Sequence, residues 1–220
     1  GLSGVTVEGG EVRIGAATPW AALAGAGLPP ACAGLVAAAR EVGGAQVQAR
    51  GTLGGNLCNA SPAADGVPPL LTLGAEVELA SAAGRRRLAL AEFLRGPRET
   101  ALAPGELMTA VILTETAGCG AFVKLGARRH LVISTLMAAV RLEVAAGRVS
   151  AARVAVGAAS PVARRLAAVE AALLGAPAEA AAEAVPEDAG DALAPLDDVR
   201  ADAAYRRRAA AELLRRAVRE

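Results

Sequence analysis

The chain has 220 residues, 23 of them basic and 22 acidic, with one histidine. That length accommodates one large domain or two small ones. The balanced charge argues against a nucleic-acid footprint, which needs a basic surplus on one face, and aromatics at 2% leave little to stack bases on.

The core must be aliphatic, since hydrophobic residues reach 54% and much of that is alanine. Cys32, Cys58 and Cys119 are widely spaced and form no CxxC. With His130 alone beside them, the chain is not expected to hold a zinc or iron–sulfur site by itself. So few cysteines also make a poor disulfide framework, which fits a reducing cytoplasm. The opening GLSGVTVEGG has no secretory pattern. Residues 14–39 carry no charge, but Pro19, Pro29, Pro30 and several glycines interrupt them, so no membrane span is expected.

In chain order, GEVRIGAAT (10–18) alternates like a strand, with Val12 and Ile14 on one face. Thr18-Pro19 reads as an N-cap and first helical position, predicting a short helix through WAALAGAG. A second helix is predicted over ACAGLVAAAREVGG, stopping at Gly43-Gly44. QVQARGTLGGNL reads as extended and GVPPLLTLGA as a short helix. AEVELAS and RRLAL flank the turn AAGRR and predict a hairpin. LAEFLRG reads as a helical piece and ELMTAVIL (106–113) as a strand. TETAGCG (114–120) marks a boundary, so the expected units are 1–116 and 117–220. Beyond it, GAFVKLGARR predicts a strand. ISTLMAAVRLEVAAGRVSAARVAVGA predicts an antiparallel hairpin, although alanine leaves a helix open for its first run. RRLAAVEAALLG and AEAAAEAV are helix candidates, PEDAGDALAPLDDVR a loop, and ADAAYRRRAAAELLRRAVRE an amphipathic helix with Leu213, Leu214 and Val218 inward. The order of elements is α+β.

The stretch RGTLGGNLCNASPAADGVPP (50–69) carries the chemistry. Asp65 is its only charged side chain beyond Arg50. Gly54 and Gly55 permit close approach of a ligand, and consecutive amides in such a turn can form an anion cradle. Asn56, Asn59 and Ser61 add neutral hydrogen-bonding groups, and Asp65 can accept from hydroxyls. A tight structural loop is the other reading of the same glycines. No P-loop, Rossmann or G-x-S-x-G pattern occurs, and a lone histidine leaves little for a catalytic triad. Arginine appears 22 times and lysine once, at Lys124, which reads either as one surface lysine left by chance or as a site that wants a compact ammonium rather than a planar fork.

GTLGGNLCNASPAADGVPPLL (51–71) resembles the second flavin-binding stretch of the FAD subunits of molybdenum hydroxylases. ELMTAVIL, FVKLGARR, ARVAVGAASPVARRLAAVEAALLG and LDDVRADAAYRRRAAAELLRRAV follow in that family's order, so the resemblance covers essentially the whole chain. It implies the second subdomain of a two-part FAD-binding domain of PCMH type, then a small C-terminal domain with a three-stranded antiparallel sheet and helices on one side. It further implies FAD as cofactor, with the backbone amides of Thr52, Leu53, Gly54, Gly55 and Asn56 on the pyrophosphate and Asp65 on cofactor hydroxyls. Ser61 joins that binding set. Val42 and Met108 would make apolar flavin contacts, and Lys124 would lie at the flavin, with Arg128 and Arg129 near its edge.

The implied role is a flavoprotein subunit of an oxidoreductase, passing electrons from [2Fe-2S] clusters through FAD to NAD, quinone or oxygen. The implied partners are a [2Fe-2S] small subunit and a molybdopterin large subunit in a hetero-oligomer. The family's first glycine-rich stretch, of AGGTD type, has no match in GLSGVTVEGG. A fragment with half the clamp, or a flavin-free scaffold subunit, is therefore the alternative expectation.

Overall fold

The computed structural model describes residues 1–114 and 117–220. Strands β1 (Val5–Glu8) and β2 (Glu11–Gly15) open the chain and pair antiparallel. Val12 and Ile14 point into the core as the alternation predicts, while β1 lacked a pattern strong enough to anticipate. Thr18 does not cap the next helix. Its hydroxyl donates to the Gly4 carbonyl at 3.1 Å and accepts from the Gly4 amide at 2.9 Å, so it fastens the N-terminal segment instead.

Short helices follow: α1 (Trp20–Gly25), α2 (Ala33–Glu41), α3 (Ala45–Arg50), α4 (Leu53–Asn59) and α5 (Val67–Thr72). The extended reading of residues 46–57 is thus corrected to two helices. Thr52 caps α4 by accepting from the Gly55 amide at 3.1 Å, which satisfies one of the free donors of a first turn. The buried Leu53 and Leu57, four apart, give α4 the inward face that two glycines disguise in the sequence.

Strands β3 (Glu76–Ser81) and β4 (Gly84–Ala89) form the predicted hairpin; its arginines belong to β4 rather than to the turn. After α6 (Leu90–Phe93) and the small ribbon β5 (Leu94–Gly96) and β6 (Glu99–Thr100), β7 (Leu107–Leu113) enters the middle of an antiparallel sheet of order β1-β2-β7-β3-β4. Arg13 on β2 and Glu78 on β3 reach each other across β7 at 2.7 Å, and the Thr109 hydroxyl donates to the same Glu78 carboxylate at 2.6 Å.

The second unit begins with β8 (Cys119–Leu125), β9 (Leu136–Ala145) and β10 (Arg148–Gly157), the last two forming the predicted hairpin. The expectation of three strands is corrected to four, because β11 (Arg164–Arg165) pairs with Ala155 and Val156, giving the order β11-β10-β9-β8. Two consecutive arginines carry no hydrophobic signal, so this strand exists only through its partner. Helices α7 (Ala167–Leu173) and α8 (Ala203–Arg219) cover one face, while residues 178–184 make a 3-10 helix. The boundary expected at 116 falls on Glu115 and Thr116, outside the described residues.

The sheet of the second unit is covered on both faces. On β9, Leu136, Ala138 and Val140 join the core with Leu166, Leu173, Leu213 and Leu214, whereas Met137 and Ala139 meet Ala38 and Phe122. The period of two along a strand thus sends alternate residues to two different cores. Arg141 continues the second face. Buried to 4% exposure, it donates to the Thr72 carbonyl and the Ala117 carbonyl, each at 2.9 Å. At Gly120 an added Cβ would fall 2.2 Å from the Ala31 carbonyl oxygen, so α2 and its approach lie directly on β8. No helix among the described residues is long and apolar enough to cross a membrane.

Candidate functional site

Two groups of the expected residues assemble, at different places. The first is a cleft of about 370 Å³. Its walls include Ala16, Ala17, Leu107 and Met108, with Thr52, Gly54, Gly55 and Cys58 on the α4 side. It is mostly apolar, with a threonine hydroxyl and glycine main chain at one edge. Burial pushes the Cys58 thiol up from its ordinary value, so it is protonated at neutral pH.

The glycines serve different ends. A Cβ on Gly54 would sit 2.7 Å from both the Cβ and the carbonyl oxygen of Ala16, so this glycine lets α4 press against the end of β2. A Cβ on Gly55 would meet only the Thr52 hydroxyl, at 3.0 Å, and that glycine is exposed. The amides are not the free row that the sequence reading expected. Leu53 donates to the Thr18 carbonyl (3.1 Å), Gly54 to Ala16 (2.8 Å) and Asn56 to Thr52 (3.0 Å), while Gly55 is bonded to the Thr52 hydroxyl. Helix formation and the close fit to β2 account for all four. Leu53 itself is fully buried, and Asn56 turns its carboxamide inward, where Oδ1 has no hydrogen-bond partner.

The second group lies where the two units meet. Lys124 Nζ is 2.7 Å from Asp65 Oδ2, with the side chains 7% and 10% exposed. The ammonium also donates to the Glu41 carbonyl at 3.3 Å, beside Val42, which ends α2 and packs half-buried on the first core. Ser134, which sequence reasoning missed, donates its hydroxyl to Asp65 Oδ1 at 2.5 Å. A serine in a run of apolar residues carries no local signal; only the fold brings it to a residue 69 positions away.

Ser61 is bonded to neither group but adjoins the second through a shared cleft. Its hydroxyl accepts from the Ala63 amide at 3.3 Å, and it lines that cleft between the units with Arg98, Ser134 and Arg206. Arg128 and Arg129 are exposed and line a surface cleft with Lys124, while His130 stands in solvent.

Together these features define an α+β protein of two closely docked units, with a glycine-edged cleft on the first and a buried ion pair at the junction. Residues 1–114 match the family described as the FAD binding domain in molybdopterin dehydrogenase, and residues 121–220 match the CO dehydrogenase flavoprotein C-terminal domain. The carbon monoxide dehydrogenase medium chain of Hydrogenophaga pseudoflava is 31% identical over 99% of this chain and 77% of its own length. The nicotine 6-hydroxylase medium subunit of Paenarthrobacter nicotinovorans is 34% identical over 84% of this chain, and the nicotinate dehydrogenase FAD-subunit of Eubacterium barkeri 41% over 46%. This chain spans 65% and 36% of the length of those two relatives. Among solved structures, carbon monoxide dehydrogenase from Hydrogenophaga pseudoflava superposes with a TM-score of 0.88 at 31% identity, covering 99% of this chain and 77% of that one. Quinoline 2-oxidoreductase from Pseudomonas putida 86 gives 0.86 at 28% identity, with 99% and 76% coverage. The chain belongs to the family of FAD-binding medium subunits of molybdenum hydroxylases, of the carbon monoxide and xanthine dehydrogenase type.

Proposed function

We propose that this chain is the flavin-holding part of a flavoprotein subunit in a molybdenum hydroxylase. Electrons from [2Fe-2S] clusters of a small partner subunit would pass through FAD to NAD, quinone or oxygen, while a molybdopterin-bearing large subunit hydroxylates the substrate. When bound, FAD supplies the exchange between single-electron and two-electron carriers.

The residues present fit such a group. The bare main chain at Gly55 and the Thr52 hydroxyl offer close approach at the edge of an apolar cleft, with Met108 as a soft wall. Gly54, Leu53 and Asn56 shape this edge from behind. Asp65 and Lys124 present an acceptor and a donor held rigidly against each other, and the lysine has three donor hydrogens of which the structure commits two, to Asp65 and Glu41. Val42 adds apolar surface beside them, and Ser61 a hydroxyl in the adjoining cleft. The observation that carries the reading is the burial of the chain's one lysine against its isolated aspartate.

A second reading, a flavin-free scaffold, is favoured by the four amides of residues 53–56 already being bonded within the chain. One experiment separates the two. The purified chain is titrated with FAD and followed by visible absorption, and alkylation of Cys58 is mapped by mass spectrometry with and without FAD. The flavoprotein reading expects saturable binding and slower alkylation of Cys58. No binding and unchanged alkylation would leave the scaffold.

A further inference from the structure

We infer that Ser134 is a positioning residue that sets the orientation of the Asp65–Lys124 pair and, through it, the flavin affinity of this site. The inference rests on the flavoprotein reading and extends it to a residue outside the glycine-rich stretch.

The argument begins with hydrogen-bonding capacity. A carboxylate only accepts, so the bond of 2.5 Å between Ser134 Oγ and Asp65 Oδ1 has the serine as donor. Lys124 takes the other oxygen at 2.7 Å. Asp65 is thereby held at both ends, which fixes its rotation about the Cβ–Cγ bond as one partner alone would not. Ser134 is 1% exposed, so its hydroxyl is shielded from bulk water while it holds the carboxylate.

Both backbones that carry this contact are themselves pinned. Next to Ser134, the Thr135 amide donates to the Leu125 carbonyl at 2.8 Å, and the Thr135 carbonyl accepts from Arg206 Nε at 3.0 Å. Beside Asp65, the Ala64 amide donates to the Ser61 carbonyl at 3.0 Å. The serine therefore cannot follow a displaced aspartate. Charge-assisted bonds of this kind are short and geometrically demanding. Lys124 has a third hydrogen beyond those given to Asp65 and the Glu41 carbonyl, and the direction of that hydrogen follows the orientation of the pair. Asp65 and the Glu41 carbonyl come from the first unit, and Lys124 and Ser134 from the second, so the pair is oriented only when the units are docked.

The test uses Ser134→Ala and Ser134→Thr in the whole chain. Because Lys124 is the sole lysine, isotope-labelled lysine gives one side-chain ammonium signal, which NMR follows without any flavin. The inference expects a slowly exchanging signal in the starting protein, the same signal in Ser134→Thr, and a shifted or broadened one in Ser134→Ala. FAD titration is expected to weaken by about tenfold in Ser134→Ala and to recover in Ser134→Thr, as one bond to a charged group predicts. The flavin visible spectrum, which a purely structural loss would not alter in the molecules that bind, is expected to change as well. Unchanged ammonium signal and unchanged FAD affinity in a folded Ser134→Ala protein would overturn the inference. If the starting protein binds no FAD while its ammonium signal still responds to Ser134→Ala, the flavoprotein reading fails and the control of the ion pair stands. If FAD binds but neither readout responds, the reverse holds.

Discussion

Replacing Lys124 by methionine keeps most of the side-chain bulk and removes the charge, which strands Asp65 in the junction between the units. Stranding one member of a buried pair costs about 3–5 kcal/mol. Here the lower end applies, because Asp65 keeps the Ser134 hydroxyl as a donor and is still 10% exposed. The expected destabilisation is about 3 kcal/mol. Removing both charges, in Lys124→Met with Asp65→Asn, leaves no stranded ion, so the double variant should lose only about 1 kcal/mol. The cycle therefore predicts a coupling of about 2 kcal/mol or more between two side chains in direct contact. Urea denaturation followed by circular dichroism measures this. With a slope of about 3 kcal/mol/M, the midpoint of the single variant should fall by about 1 M and that of the double variant by about a third as much. A single variant within about 0.5 kcal/mol of the starting protein, or strictly additive effects, would refute the reasoning that this pair is buried and mutually compensating.

Two further outcomes are expected. Gly54→Ala should destabilise the fold by about 1–3 kcal/mol through overpacking against Ala16, whereas Gly55→Ala should leave the melting temperature nearly unchanged and weaken FAD binding; thermal melts and flavin titrations of both variants check this, and similar melting losses would contradict it. Glu78 is held at about 2 by hydrogen bonds from Arg13 and Thr109 and by the charges of Arg13 and Arg85, burial opposing. Its folded value lies below the ordinary glutamate value near 4.5, so its contribution is complete above that pH and is lost as pH falls through about 2. Melting curves across this window should therefore drop less steeply in Glu78→Gln than in the starting protein; parallel curves would remove Glu78 from the acid response.

The periodic elements were legible in the sequence and the unperiodic ones were not. Val12 and Ile14 marked β2, and the spacing of Leu166, Val169 and Leu173 marked α7. Helix α4 was hidden because its glycines argue against helix by propensity, while the fit of Gly54 to Ala16 and the Thr52 cap favour it by packing. Strand β11 was hidden for the opposite reason, two charged residues ordered only by their neighbours Ala155 and Val156. For the candidate site, the isolation of Asp65 and the singularity of Lys124 were both visible as compositional oddities, but their separation of 59 positions concealed that they answer each other. Ser134 had no oddity to offer.

That juxtaposition bears on why two units are needed at all. Each element around Asp65 is short: α4 has 7 residues and α5 has 6, too few to hold a carboxylate in place by their own stability. The second unit supplies what they lack. Its sheet places Lys124 on β8 opposite Met137 and Leu125 opposite Leu136, with Ser134 in the segment just before β9, and Arg141 ties the same sheet to the carbonyl at the end of α5. The charge of Asp65 is compensated and its direction fixed only from across the junction. A site built this way loses its geometry when the units part, even if each unit keeps its own core, and so ligand binding and docking of the units draw on the same hydrogen bonds.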